Sequence, residues 1–230
     1  MQEYRRFSHI LKFRDIPKKL LDVGEELFIA KNEVVFSQGD VPDRFYYIKD
    51  GRIKNYKYSP RGNEQIICLL EKGSIFLESG VLFNIPIDSY FKTMEDSCLI
   101  SFMKKDLLDL LATDIDVTVY IIQSVSFKFH NYEYCFDELQ FFDTEWRICS
   151  LLLTFADNFG LEVENKIKLN LKISQQFISN ILGVNRGTTI KMINKLKELN
   201  LIEQTNGYYF IKDLQRLKNH QAEIMTSCGS

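Results

Sequence analysis

Residues 172–202, KISQQFISNILGVNRGTTIKMINKLKELNLI, hold two short apolar periodicities separated by one glycine. Ser174 offers a side-chain acceptor at a helix start, and Phe177, Ile178 and Ile181 then line one side of a short helix. Gly183 ends that helix, since glycine enters a left-handed turn without steric cost, and Asn185 caps a second helix from about Arg186 to about Glu198. In this second helix Thr189, Met192, Ile193 and Leu196 recur at helical spacing and turn inward. Gly187, Ile190, Lys191 and Asn194 repeat the spacing on the opposite side, beside Arg186 and Lys195, so the outer face is basic and polar. Such a pair of helices suits the major groove, where side chains must reach base edges and phosphates together. Two ordinary surface helices would carry the same local pattern, so the flanking sequence has to decide.

The chain of 230 residues, 45% hydrophobic and 26% charged, is long enough for two domains and a buried core. No apolar run approaches the roughly 18 residues of a membrane span. The N-terminal MQEYRRFSHILKF lacks the apolar segment of a signal peptide, so a cytoplasmic protein with no membrane partner is expected. Cys68, Cys98, Cys135, Cys149 and Cys228 are widely spaced and form no CxxC pair, which argues against a disulfide framework and against a zinc site. The net charge of −2 hides an asymmetry. Lys166 to His220 contains ten Lys plus Arg against three acidic residues, an excess of +7 that leaves −9 on the remainder. The C-terminal third is therefore the part that attracts polyanions.

Upstream, residues 1 to about 25 read as a helical lead-in with a short helix through Lys18 to Leu21. From Glu33 the period becomes that of short strands, VVFSQGD, RFYYIKDG, RIKNYKYSP, EQIICLLEKGS and YFKTMEDSCLISFMK, with turn residues about every ten positions. That spacing predicts an antiparallel barrel or double-sheet roll. Between residues 105 and 140, Leu111, Ile115, Thr118, Ile122, Val125, Phe129, Tyr132, Phe136 and Leu139 alternate gaps of three and four with no glycine or proline. A helix of roughly 35 residues would be about 50 Å long, more than one small domain covers. The seam therefore predicts a two-fold homodimer, with a core helix packed only on its own chain as the other reading. Asp143 caps a new helix containing Trp146, Ile148, Leu151, Leu152 and Phe155. A strand IKLNL, a hairpin at Thr205-Asn206-Gly207 and a closing helix from Asp213 to about Glu223 follow.

The run from Val35 and Phe36 through Gly39-Asp40, Asp43, Phe45-Tyr46-Tyr47-Ile48, Gly51 and Ile53-Lys54, the later Gly73 to Glu78, and the two helices above resemble the Crp/Fnr family of bacterial transcription regulators. The resemblance implies an α+β chain divided at 1–104, 105–142 and 143–230. These parts would be a sensor domain (helical lead-in plus cyclic-nucleotide-binding-type β jelly roll), a long dimerisation helix and a winged helix-turn-helix. It implies a homodimer on a pseudo-palindromic operator in double-stranded DNA, half-sites about 34 Å apart, with RNA polymerase as a further partner. Ser174, Gln175, Gln176, Asn185, Arg186, Gly187, Thr188, Ile190 and Lys191 would form the DNA interface, Arg186 and Lys191 falling on the family's two cationic base-contacting positions. Gly187 stands where many members have glutamate, which removes an acceptor for cytosine N4 and puts the usual half-site in doubt.

In the sensor domain the resemblance places Glu78 where cyclic-nucleotide binders meet the ribose hydroxyl. Leu77 replaces their preceding glycine and Asp88-Ser89 replaces their arginine-serine pair, so the cyclic phosphate would meet an aspartate and cyclic AMP is disfavoured. The pocket expected from Phe76, Glu78, Ser79, Ser89, Phe91 and Tyr132, with Phe83 nearby, suits an unknown small apolar or aromatic effector; no cofactor is assigned. No cysteine cluster precedes Cys68, which excludes the iron–sulfur branch, and a lone histidine such as His9 or His130 is more often a surface residue than a haem ligand. Cys68, Cys98 and Cys135 stay open as redox-sensing thiols. GxSxG, HExxH, P-loop and GxGxxG patterns do not occur, so no catalytic residues are assigned and an enzyme is not expected. An effector-independent regulator and a sensor module of another signalling protein remain the alternatives.

Overall fold

The computed structural model describes residues 10–11 and 16–227. Most of the expected lead-in, together with His9 and Cys228, lies outside the described residues. The chain forms two compact units, the first ending at Glu133 and the second beginning at Tyr134.

The N-terminal unit contains β1 (Ile10–Leu11), α1 (Lys18–Leu21), β2 (Glu25–Ile29), β3 (Val34–Phe36), β4 (Arg44–Asp50), β5 (Arg52–Tyr58) and β6 (Glu64–Glu71). It continues through β7 (Ile75–Phe76), α2 (Glu78–Phe83), β8 (Tyr90–Thr93), β9 (Ser97–Met103) and α3 (Lys104–Thr113). Two sheets result, ordered β1-β6-β5-β8-β3 and β2-β9-β4-β7, which is the expected double-sheet roll. Aromatic side chains fill its interior. Phe45 stacks on Phe102 at 4.8 Å, and Phe76 lies 5.2 Å from Tyr46 and 5.0 Å from Phe91. Strand β2 begins at the end of the expected helical lead-in; among the described residues it pairs with β9, and the exposed Phe28 between half-buried Leu27 and Ile29 disguises the alternation that marks a strand.

The single helix expected over 105–140 is two. After α3 the chain bends by 115° and restarts as α4 (Ile115–Phe141). Asp114, in extended conformation, causes the break: its Oδ1 accepts the backbone N–H of Asp116 and of Val117, each at 3.0 Å. Its Oδ2 takes the Lys19 ammonium at 2.5 Å, and the Thr118 hydroxyl returns to the Leu111 carbonyl at 2.8 Å. Leu111 consequently belongs to α3 and packs against the roll, so the seam begins at Ile115. The 27 residues of α4 extend for about 40 Å.

The C-terminal unit continues from the end of α4 with α5 (Thr144–Phe159), β10 (Gly160–Val163), β11 (Lys166–Leu169), α6 (Gln175–Leu182), α7 (Arg186–Glu198), β12 (Ile202–Thr205), β13 (Tyr208–Ile211) and α8 (Leu214–Ser227). Its sheet is ordered β10-β11-β13-β12. Both hairpins have two-residue turns with positive φ throughout, Glu164-Asn165 at 49° and 63° and Asn206-Gly207 at 53° and 83°. That geometry matches strand twist and is cheap for asparagine and glycine. Ile148, Leu152, Leu153 and Phe155 of α5 form the buried centre of this unit.

Candidate nucleic-acid interface and sensor cavity

Local sequence sets the two helices that would meet DNA. Ser174 Oγ accepts the Phe177 N–H at 3.0 Å, opening α6, and Gly183 closes it with φ of 64°. Asn185 Oδ1 accepts the Gly187 N–H at 2.7 Å, opening α7. A Cβ at position 187 would lie 3.1 Å from that same oxygen, so glycine leaves the cap room. Ile178, Ile181, Thr189, Ile193 and Leu196 are buried as the periodicity requires, and Met192 is half-buried. Ser174, Gln176, Asn185, Arg186, Gly187, Thr188 and Lys191 are exposed, whereas Gln175 and Ile190 are half-buried. Gln176 is partly engaged, donating to Asn180 Oδ1 at 2.7 Å. Arg186 and Lys191 make no hydrogen bond or ion pair among the described residues. A cation opening the helix and another in its second turn, with no carboxylate in the first turn, can meet a phosphate or a guanine edge.

Behind this surface the frame is held by buried polar contacts. Ser179 Oγ of α6 donates to Thr189 Oγ1 of α7 at 2.9 Å. The Arg147 guanidinium of α5 donates to the Leu182 carbonyl, holding the end of α6 next to the glycine turn. Glu145 receives Lys195 of α7 at 2.5 Å and His220 of α8 at 2.9 Å. Burial pushes the Glu145 carboxyl up, but these two partners outweigh it and hold the group below the usual carboxylate range. Lys195, expected on the outer face, is thus a brace.

On the wing, Lys168 and Lys172 stand 4.2 and 5.3 Å from the Tyr208 ring centre, adding two cations beside α6 that sequence reading did not single out. The lysines alternating along β11 were the signal. Lys166 and Lys212, in contrast, are spent on Glu203 at 2.8 and 3.3 Å.

In the N-terminal unit, Phe76, Glu78, Ser79, Ser89, Phe91 and Tyr132 all line one cavity of about 370 Å³. Phe83 does not; it sits exposed at the end of α2, where Asn84 turns the chain with φ of 53°. Asp88 does not line the cavity either, its carboxylate accepting from Gln38 Nε2 at 2.6 Å outside. The cavity's cation is Lys128 of α4, which sequence reading missed, and it donates to Glu78, itself only 2% exposed. Among the described residues no arginine lines this space. Leu77, at the glycine position of the nucleotide-binding pattern, keeps a left-handed backbone with φ of 70°. Asn55, missed as well, is 7% exposed and its Oδ1 receives no donor. Burial pushes the Cys68 thiol up to about 12, although Lys128 and Asn55 pull the other way, so this thiol is a poor nucleophile. Cys98 is also raised by burial and by Glu26. His130 is on the exposed face of α4, its Nδ1 2.9 Å from Glu133.

Comparison with known proteins agrees with both halves. Residues 26–114 match the model of the cyclic nucleotide-binding domain, and residues 147–220 match that of the Crp-like helix-turn-helix domain. The global nitrogen regulator of a Synechocystis species is 25% identical over 195 residues, covering 84% of this chain and 86% of that protein. A CRP-like cAMP-activated global transcriptional regulator of Mycobacterium tuberculosis is 21% identical over 187 residues, covering 81% and 84%. Among solved structures, the c-di-GMP responsive global regulator CLP of Xanthomonas campestris superposes with a TM-score of 0.75 at 16% identity, covering 84% of this chain and 96% of that one. A transcriptional regulator of the CRP/FNR family from Thermus thermophilus gives 0.70 at 21% identity, covering 86% and 98%.

Proposed function

Because the chain belongs to the Crp/Fnr family of transcription regulators, we propose that two copies joined along α4 present Arg186 and Lys191 of each α7 to a pseudo-palindromic operator. Residues up to Thr113 form the sensor part, α4 the dimerisation helix, and the chain from Asp143 the DNA-binding part. The observation that carries this reading is the pair of cations on α7 that make no hydrogen bond or ion pair among the described residues, on a frame where Lys166, Lys195 and Lys212 are used internally. Ser174, Gln175, Gln176, Asn185, Gly187, Thr188 and Ile190 complete the interface, holding phosphates and touching base edges. A small molecule in the cavity beside Lys128 shifts the population between two arrangements of the dimer. The protein works in the cytoplasm, with RNA polymerase as a further partner.

Selection of bound sequences from a random duplex pool, followed by fluorescence anisotropy at two salt concentrations, tests this. A two-fold-symmetric consensus with half-sites about one helical turn apart is expected, bound with a steep salt dependence. A monomer indifferent to duplex DNA in dilute salt removes the reading. The Glu78–Lys128 pair, which already neutralises the cavity, favours as second reading a regulator that needs no effector. Under it, substitutions lining the cavity leave the DNA affinity of folded protein unchanged whatever is added.

A further inference from the structure

Resting on the reading of the cavity as an effector site, we infer that its occupant is a small zwitterion, an α-amino acid with an apolar or aromatic side chain, which inserts between Glu78 and Lys128. The pair is almost sealed, with side chains 3% and 18% exposed, so the two charges have surrendered most of their hydration for each other. A purely anionic ligand that captured Lys128 would strand the Glu78 carboxylate without a partner, and a purely cationic one would strand Lys128. Leaving one buried charge uncompensated is strongly unfavourable. A molecule carrying both charges re-pairs both, ammonium to Glu78 and carboxylate to Lys128, and keeps the cavity neutral.

Two further groups point the same way. Asn55 Oδ1 is buried and lacks a donor, and an ammonium brings three N–H groups where Glu78 uses only part of them. Ser89, 6% exposed, lines the same space with a hydroxyl that can donate to a carboxylate. The rest of the wall is apolar and aromatic, chiefly Leu70, Phe76, Phe91 and Phe129, which selects the side chain. A volume of about 370 Å³ is at the small end of the range for small-molecule sites, roughly 300–1,000 Å³, and suits a single ring or a branched aliphatic chain. The consequence for regulation is geometric. Lys128 is on α4 and Glu78 begins α2, so exchanging a direct ion pair for a ligand-bridged one lengthens the tie between α4 and the roll.

Isothermal titration of the full-length protein with L-phenylalanine and L-leucine, beside 3-phenylpropanoate and 2-phenylethylamine, tests this. At least one amino acid should bind saturably, and the two analogues lacking one charge should each bind at least about tenfold more weakly, the loss expected when a buried partner is left unpaired. Glu78→Gln and Lys128→Met should each abolish amino-acid binding. The double variant Glu78→Gln/Lys128→Gln, which removes both charges together, should keep the thermal midpoint near the parent's and still fail to bind, separating loss of the site from loss of the fold. Binding of 3-phenylpropanoate as tight as that of L-phenylalanine overturns the zwitterion while leaving an effector site in place. Absence of saturable heat with L-phenylalanine, L-leucine, L-tyrosine and L-tryptophan at millimolar concentration overturns it too. If neutral indole and the charged analogues also fail to bind, the effector reading falls with it.

Discussion

Arg186 and Lys191 differ from Lys166, Lys195 and Lys212 in making no hydrogen bond or ion pair among the described residues. Arg186→Ala should therefore weaken operator binding by about 1–3 kcal/mol, roughly fivefold to 150-fold, with no change in thermal midpoint. Lys195→Ala should do the reverse, lowering the midpoint first, because it removes a charge that Glu145 requires; anisotropy and calorimetry on the two variants separate the roles. Glu145 also sets an acid limit. A carboxyl held below its ordinary value adds stability at pH above about 4.3 and loses it as pH falls through the lower folded value. The C-terminal unit should unfold at progressively lower temperature below about pH 4, and Glu145→Gln should flatten that acid limb. Caps and turn residues such as Ser174, Gly183 and Asn185 were legible in the sequence because each acts within three residues of itself. Lys128 was not, because its partner is 50 positions away and nothing local marks it. The left-handed backbone of Leu77 was not legible either, since its side chain disfavours that conformation by about 1–2 kcal/mol.

Between elements, the join of α6 to α7 is a polar clasp inside an apolar interface. Thr189→Val keeps the shape but deletes the acceptor for Ser179 Oγ, which retains the Gln175 carbonyl at 2.8 Å. The expected cost is about 1 kcal/mol of unfolding free energy by urea titration, with a smaller loss of DNA affinity. The break at Asp114 illustrates where periodicity stops being informative. Apolar spacing continues unbroken from α3 into α4, and the aspartate that ends one helix and caps the next is polar in either case. Asp114→Ala should leave the two amides of Asp116 and Val117 without their acceptor, speeding hydrogen exchange there while the roll's strands keep theirs. The reversals between β4, β5 and β6, by contrast, were legible because Gly51 and Pro60 to Gly62 mark them, but turn spacing did not give the strand order, since β4 and β5 fall in different sheets.

For the molecule as a whole, the decisive feature is what one chain leaves uncovered. Ile122 and Phe136 are 59% and 63% exposed, and Ile115, Val125, Phe129 and Leu139 join them along α4. A contiguous apolar row of this length in water is a binding surface, and the regular spacing that revealed it in the sequence fits a second copy of itself. Ile122→Glu/Phe136→Glu should yield a folded monomer by light scattering, with operator affinity reduced far more than by either cation substitution. The spacing of the seam was legible in the sequence, but where it begins was not, because that depends on Asp114.

In the proposed dimer, a helix left half-clothed until a twin arrives would also make the regulator a gauge of its own abundance. Where dimers are scarce, halving the number of chains leaves about a quarter of the pairs, so promoter occupancy falls faster than the pool that supplies it. Synthesis and degradation of the chain then act as signals in their own right, beside any metabolite that fills the roll.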